Sequence, residues 1–248
     1  MVTESPRADA VRESDALDAA MPPASAFTPA LTRATLDAAP TQVLRDGRWA
    51  NARVLRVEAA GGAWVVKDFR PRGFAVRNTV GRLLLRRELR ALQRLAGIDG
   101  VPGDAFRIDG HAIAARFIPG TPLAKVELAD LPPSYFEALE ALLSEVHARG
   151  LVHLDTRGAG NLLVRPDRRP ALIDFQAALS TRWMPRAWRR WLEDLDLSGV
   201  YKRWMQRDPA SMGPERAALY ERITRGRRRW WILRGYLGAP RKQGRGAL

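Results

Sequence analysis

The chain contains no cysteine. Disulfides and thiolate metal sites are therefore excluded, and a reducing compartment is permitted. Histidine is scarce, and the three present, His111, His147 and His153, do not cluster in a metal-ligand spacing. No uninterrupted apolar run approaches the ~20 residues that a spanning helix needs. The first residues, "MVTESPRADAVRESDALDAAMPPASAF", carry acids and lack the apolar region of a signal peptide. These absences lead to an expected place in the cytosol, or peripherally on the cytosolic face of the inner membrane. Acidic residues are also in deficit, with 27 Asp and Glu against 41 Lys and Arg.

The excess charge is unevenly spread. Residues 1–40 hold three Arg against six acids, whereas residues 181–248 hold 17 Lys and Arg against six acids. Six of the eight tryptophans lie in that last segment: Trp183, Trp188, Trp191, Trp204, Trp230 and Trp231. Such a tail could be a solvated basic face, a lipid-facing patch or a nucleic-acid patch. Tryptophan beside arginine favours an anionic membrane surface, with Arg225, Arg227, Arg228 and Arg229 next to Trp230 and Trp231; nucleic acid is the lesser alternative. The tryptophans between 183 and 204 are expected in the core of a helical lobe rather than as membrane anchors.

Residues 1–38 are rich in Ala, Pro, Ser and Asp with little periodicity, and are expected to be a disordered leader. After them, "ARVLRVEAAGGAWVVKDF" alternates on both sides of Gly61-Gly62, the pattern of a hairpin. Leu85, Leu89, Leu92 and Leu95 recur at helical spacing, and Asn78 is placed to cap that helix. Short strands are expected near Ala105–Ile108 and Ala112–Ile118. A second helix runs from Ser134, with Phe136, Leu139, Leu143 and Val146 as its stripe and Gly150 as its stop. The order gives an α+β fold of two lobes: a small antiparallel-sheet N-lobe with one helix at 39–118, and a mostly helical C-lobe at 119–248.

Five polar residues stand at element ends in this plan: Lys67, Glu88, Asp155, Asn161 and Asp174. Taken singly, each has an ordinary explanation as a strand edge, a helix face or a turn former. Together they supply what phosphoryl transfer from ATP needs: a cation for the phosphates, an anion to hold it, a carboxylate at the acceptor hydroxyl and oxygen ligands for Mg²⁺.

The segments "AWVVKDF", "HARGLVHLDTRGAGNLLV" and "ALIDFQ" resemble the phosphate-binding strand, catalytic loop and metal-binding turn of the protein-kinase-like superfamily. Within it, "RRELRALQRLAGIDGVPG" and the basic helical tail look most like the bacterial lipopolysaccharide-kinase (Kdo/WaaP) group. The resemblance implies that Lys67 binds the α- and β-phosphates and pairs with Glu88. It further implies that Asp155 accepts the hydroxyl proton, and that Asn161 and Asp174 hold Mg²⁺. Phe117 and Ile118 fall where the interlobe hinge meets adenine, and Gly47 where a loop covers the phosphates. Arg157 stands where a phosphate-contacting lysine is common. The implied activity is an ATP- and Mg²⁺-dependent kinase, with a lipopolysaccharide-core sugar as acceptor. A serine/threonine protein kinase and a weakly catalytic pseudokinase scaffold are the alternatives.

Departures from the superfamily pattern are specific. The loop reads His-Leu-Asp, Asn161 follows Asp155 by six residues, no Ala-Pro-Glu follows Asp174, and "DGRWANA" offers only Gly47 as glycine. Gln176 replaces a glycine that would allow positive φ. Either its Cβ locks Asp174 towards Lys67 and Glu88, or the turn never needed that freedom.

Overall fold

A computed structural model describes residues 31–47, 51–59 and 61–236, with backbone alone for 227–236. Helix α1 (Arg33–Ala38) precedes three strands, β1 (Thr41–Arg45), β2 (Arg53–Ala59) and β3 (Gly62–Asp68). Helices α2 (Phe74–Asn78) and α3 (Val80–Arg94) follow, then β4 (Phe106–Arg107) and β5 (Ala112–Arg116). The five strands form one antiparallel sheet in the order β1-β2-β3-β5-β4.

Strand alternation divides the labour of β3. Trp64 and Val66 face one side, where they pack with Leu55, Val57 and Phe106. Val65 and Lys67 face the other, pairing with Ala115 and Ile113 of β5, and border the space between the lobes.

The outer face of the sheet corrects one expectation. Residues 31–38 are not a disordered leader but part of the N-lobe core. Leu31 and Leu36 are buried against Trp64 and Val66, which would otherwise lie open to water. Thr32 and Thr35 form a reciprocal cap at the start of α1. Arg33 latches the helix down, its guanidinium reaching Asp68 and Asp109 at 2.7 Å each. Residues 1–30 of the expected leader lie outside the described residues. Asn78 is also reassigned: it ends α2, and its side-chain amide donates to the Phe74 carbonyl rather than capping α3.

The second lobe begins with β6 (Thr121–Pro122) and α4 (Pro133–Ala148). Next come β7 (Leu151–Val152), β8 (Leu162–Val164), β9 (Pro170–Leu172) and β10 (Leu179–Ser180), then α5 (Arg186–Arg207), α6 (Pro209–Met212) and α7 (Pro214–Tyr236). The expected α4 stripe is buried throughout, and Gly150 ends the helix at φ 71°. Trp204 stacks on Phe136 with centroids 5.6 Å apart. The tryptophans thus divide: Trp204 is core, while Trp183, Trp188 and Trp191 are exposed. The side chains of Trp230 and Trp231, like those of Arg227, Arg228 and Arg229, lie outside the described residues. Among the described residues, no helix is long and apolar enough to cross a membrane.

Candidate active site

A cavity of about 420 Å³ lies between the lobes. Its apolar walls include Val54, Val65, Ile113 and Leu163, and its polar end holds Lys67, Glu88, Asn161 and Asp174. Each polar residue arrives from a different element. β3 turns Lys67 inward by alternation, and α3 brings Glu88 on its buried face. The turn after β9 supplies Asp174, and the loop between β7 and β8 supplies Asn161.

Lys67 Nζ lies 2.6 Å from Glu88 Oε1 and 2.5 Å from Asp174 Oδ1. The two carboxylates respond differently to the shared cation. Burial raises the Glu88 pKa, helped by the nearby Asp174 charge and opposed by Lys67. Its second oxygen is buried and accepts no hydrogen bond of good geometry from a described residue. Burial alone would also raise Asp174, but the charge and hydrogen bond of Lys67, with those of Arg45, outweigh it and hold Asp174 below the ordinary carboxylate range. Arg45 comes from β1, its Nη2 reaching Asp174 Oδ2 at 3.2 Å.

The backbone around Asp174 shows which residue of the turn uses positive φ. Asp174 itself takes the left-handed conformation, φ 66°, and a single 3-10 turn at Phe175–Ala177 follows. Gln176 is not among the residues with positive φ, so the strained position is one residue pair earlier than glycine's usual place. The turn is gripped from α3: Arg87 donates to the carbonyls of Ala178 and Ala177 at 2.6 and 2.9 Å. Phe175 is fully buried against the His153 ring.

Asp155 and Asn161, from the loop between β7 and β8, stand together, with Asn161 on the cavity wall. Asn161 Nδ2 donates to Asp155 Oδ2 at 2.8 Å and to the Asp155 carbonyl at 3.2 Å. His153 is buried inside the loop. Its Nδ1 accepts from the Asp155 amide, so the ring proton sits on Nε2 and points at the Ile173 carbonyl, 3.0 Å away. That bond ties the β7–β8 loop to the chain just before Asp174. Asp196 of α5, fully buried, accepts from the amides of His153 and Leu154 at 2.6 Å each, and lies 3.2 Å from His147 Nε2. The bonds brace Leu154 in a left-handed conformation, φ 64°.

Three expected participants fall elsewhere. Arg157 reaches Ser198 Oγ of α5 at 2.9 Å and is not among the cavity-lining residues, so it fastens the loop to the helix beneath it. Gly47 does not line the cavity either; a Cβ there would stand 2.3 Å from the Ala52 carbonyl oxygen, so its bare backbone allows the close approach to Ala52. Asp155 is exposed beside the cavity rather than lining it. Phe117 and Ile118 do line it. The Phe117 amide donates to the Ala63 carbonyl, whereas the backbone of Ile118 makes no hydrogen bond with any described residue.

Arg45, Arg87 and Asp196 were not anticipated. Asp196 had a signal: with Leu192 and Val200 it recurs every fourth residue along α5, which puts a carboxylate on the buried stripe. Arg45 and Arg87 had none, since their partners lie 129 and about 90 residues away.

A coordinated Mg²⁺ needs hard oxygen donors, usually one or two carboxylates completed by substrate phosphates. Asp174 and Asn161 fit that donor chemistry, because the Asn161 amide nitrogen points at Asp155 and leaves its oxygen available. Among the described residues, no three His, Cys, Asp or Glu side chains form a ready-made metal cage.

The RIO domain family model matches residues 67–211, from the Lys67 strand through α5. A protein of Streptomyces coelicolor described as "Probable SapB synthase" is 32% identical over 140 residues, covering 48% of this chain and 15% of that one. The chain therefore spans only a small part of that relative's length. In structure, the chain resembles Rio2 kinase of Chaetomium thermophilum, solved as an ADP/Mg²⁺-phosphoaspartate complex. Their TM-score is 0.54 at 17% identity, covering 79% of this chain and 74% of that one. That likeness establishes the two-lobed kinase-like fold, and by the family match the chain belongs to the RIO domain family of the protein-kinase-like superfamily.

Proposed function

We propose that the chain is an ATP- and Mg²⁺-dependent phosphotransferase acting on a hydroxyl. The observation that carries this is Lys67, held between Glu88 and Asp174 at the polar end of an apolar interlobe cavity. The N-lobe of this reading runs to Ile118 and the C-lobe starts at Pro119, with the hinge between them. Adenine would lie on the apolar walls and bond to the open Ile118 backbone. Lys67 would hold the α- and β-phosphates, with Glu88 fixing its direction. Asn161 and Asp174 would hold Mg²⁺, which supplies charge neutralisation at the phosphates. Asp155, oriented by Asn161, would take the proton of the acceptor hydroxyl. Arg157 and Gly47 act through the loops they shape.

Removal of the base separates this reading from a pseudokinase scaffold. Asp155→Ala should lower turnover by roughly 10²–10⁴ while ATP still binds. Purified wild-type protein that binds no nucleotide and releases no phosphate with any acceptor favours the scaffold.

For the acceptor we favour a sugar of the lipopolysaccharide core, met at the cytosolic membrane face. Its supports are the resemblance of "RRELRALQRLAGIDGVPG" to the lipopolysaccharide-kinase group and the basic, Trp-bearing C-terminal segment. A protein hydroxyl is the second reading, favoured by the family match and by the fold shared with Rio2 kinase. Mass spectrometry of core oligosaccharide from cells with and without the gene separates them. An unchanged phosphate count together with a lost phosphoprotein selects the second.

A further inference from the structure

Away from the interlobe cavity, a second cleft of about 710 Å³ opens where the ends of α3 and α4 meet the start of α5. Four arginines line it: Arg94, Arg149, Arg182 and Arg189. Two of them crowd Gly150, where an added Cβ would stand 2.9 Å from Arg182 Cγ and 3.9 Å from Arg94 Nη2. Glu193 is the one acid on the lining, 3.6 Å from Arg189. Arg94 donates to Ser180 Oγ, and Arg149 to the carbonyls of Arg94 and Ala96, all neutral acceptors. The Arg182 side chain makes no hydrogen bond or ion pair with any described residue. Four arginines and a single acid on one cleft lining suit an anion there, and phosphate matches the guanidinium fork of donors.

The same segment carries a second, independent feature. Trp183 is 94% exposed, Trp188 62% and Trp191 54%. Trp188 and Trp191 meet edge to face on α5, with centroids 6.2 Å apart. Arg186 and Arg190, on the same helix, are exposed as well. Large indoles grouped in water mark an interaction surface. Trp183 stands almost wholly in water. A bilayer accepts a protruding indole without a complementary pocket, and offers phosphate and apolar depth in one plane.

We propose that the four-arginine cleft binds the phosphate of an anionic phospholipid headgroup, with Trp183, Trp188 and Trp191 seated in the membrane interface. This deepens the membrane-face placement above, and holds whichever hydroxyl is phosphorylated.

The test uses the full chain and vesicles of phosphatidylcholine with or without phosphatidylglycerol. Wild type should co-sediment with the anionic vesicles alone. R182Q/R189Q should lose at least about tenfold in apparent affinity, since each basic residue at such a surface contributes measurably. Trp183→Ser, at a position in open water, should weaken binding with the unfolding midpoint unchanged, which guards against a misfolded arginine variant. Binding by R182Q/R189Q equal to wild type overturns the proposal and transfers attachment to other basic segments. So does arginine-dependent binding of inorganic phosphate or a phosphoserine peptide by a protein that ignores vesicles. ATP binding and phosphate transfer, read on the same samples, keep the two proposals apart. Vesicle binding without any transfer would sink the phosphotransferase and leave this surface standing.

Discussion

At the scale of single residues, Lys67 is a cation shared by two carboxylates with opposite shifts, and this has a pH signature. Asp174 titrates below the ordinary range because Lys67 and Arg45 overcome the effect of its burial. The unfolded chain therefore takes up that proton first as pH falls. Stability from the clamp is present above the ordinary aspartate pKa of about 4 and drains away below it. Glu88 is raised, so its contribution lies above its ordinary range and runs the other way. The advantage of wild type over Asp174→Asn should thus shrink as pH drops below about 4, read from urea midpoints at a series of pH values. A constant difference across that series would show that the clamp carries no linkage. Arg45 makes a separate prediction. The loop after β1 offers few glycine amides for phosphates, and Arg45 lines the cavity within reach of Asp174. Its charge should serve the nucleotide. Arg45→Ala should weaken ATP binding by about three- to tenfold with little change in kcat, the exposed side chain limiting the effect. Equal titration curves for the two proteins would leave Arg45 no such role.

At the scale of elements, the loop between β7 and β8 is built on α5 as much as on its own sequence. Asp196 fixes two loop amides, Ser198 takes Arg157, and Thr156 Oγ1 donates to the Asp196 carbonyl. The approach is close enough that only glycine fits at 199, where a Cβ would stand 2.2 Å from Thr156 Oγ1 and 2.8 Å from its carbonyl carbon. In an open helix Gly→Ala stabilises by up to about 1 kcal/mol. Here the clash involves backbone, so overpacking should win: Gly199→Ala should cost about 1–3 kcal/mol. It should also lower kcat more than ATP affinity, because the Lys67–Glu88 pair and the hinge do not rest on α5. A stabilised variant with full turnover would mean that the loop tolerates displacement. Legibility in the sequence follows the same division. Helices α3 and α4 were readable because their leucines repeat every three to four residues, and the β2–β3 hairpin because its apolar residues alternate. β1 was not, since all five of its residues are exposed and leave no alternation to see. Lys67, Glu88, Asp155, Asn161 and Asp174 could be placed because each stands at or near an element that the pattern predicts. Arg45 and Arg157 needed the third dimension, as their partners depend on how the lobes and helices meet.

For the whole molecule, the sharpest difference between pattern and structure lies at residues 31–38. Composition placed residues 31–38 with a disordered leader, because six helical residues are too few to show a period. Tertiary contact overrides that: Leu31 and Leu36 close the outer face of the sheet, and Arg33 joins α1 to β3 through Asp68. Asp68 follows Lys67 directly, so adjacent residues of one strand hold α1 on one face and the Glu88–Asp174 clamp on the other. Arg87 carries the connection onward from α3 to the turn after Asp174. The chain from α1 to that turn is therefore expected to unfold as one cooperative body. Truncating a buried leucine in such a body leaves a cavity and costs about 2–5 kcal/mol. Leu36→Ala should accordingly lower the global unfolding free energy by an amount in that range, with the loss shared by an N-lobe probe at Trp64 and a C-lobe probe at Trp204. Arg33→Ala should move both probes in the same direction by a smaller amount. Asp155 lies in the other lobe, so turnover at saturating ATP should stay within about twofold of wild type while the protein remains folded. If Leu36→Ala left both transitions where they were, α1 would be an appendage and the sheet would stand without its cover. If Trp64 alone reported the change, the lobes would be uncoupled and the Arg87 and Lys67 bridges would not transmit stability between them.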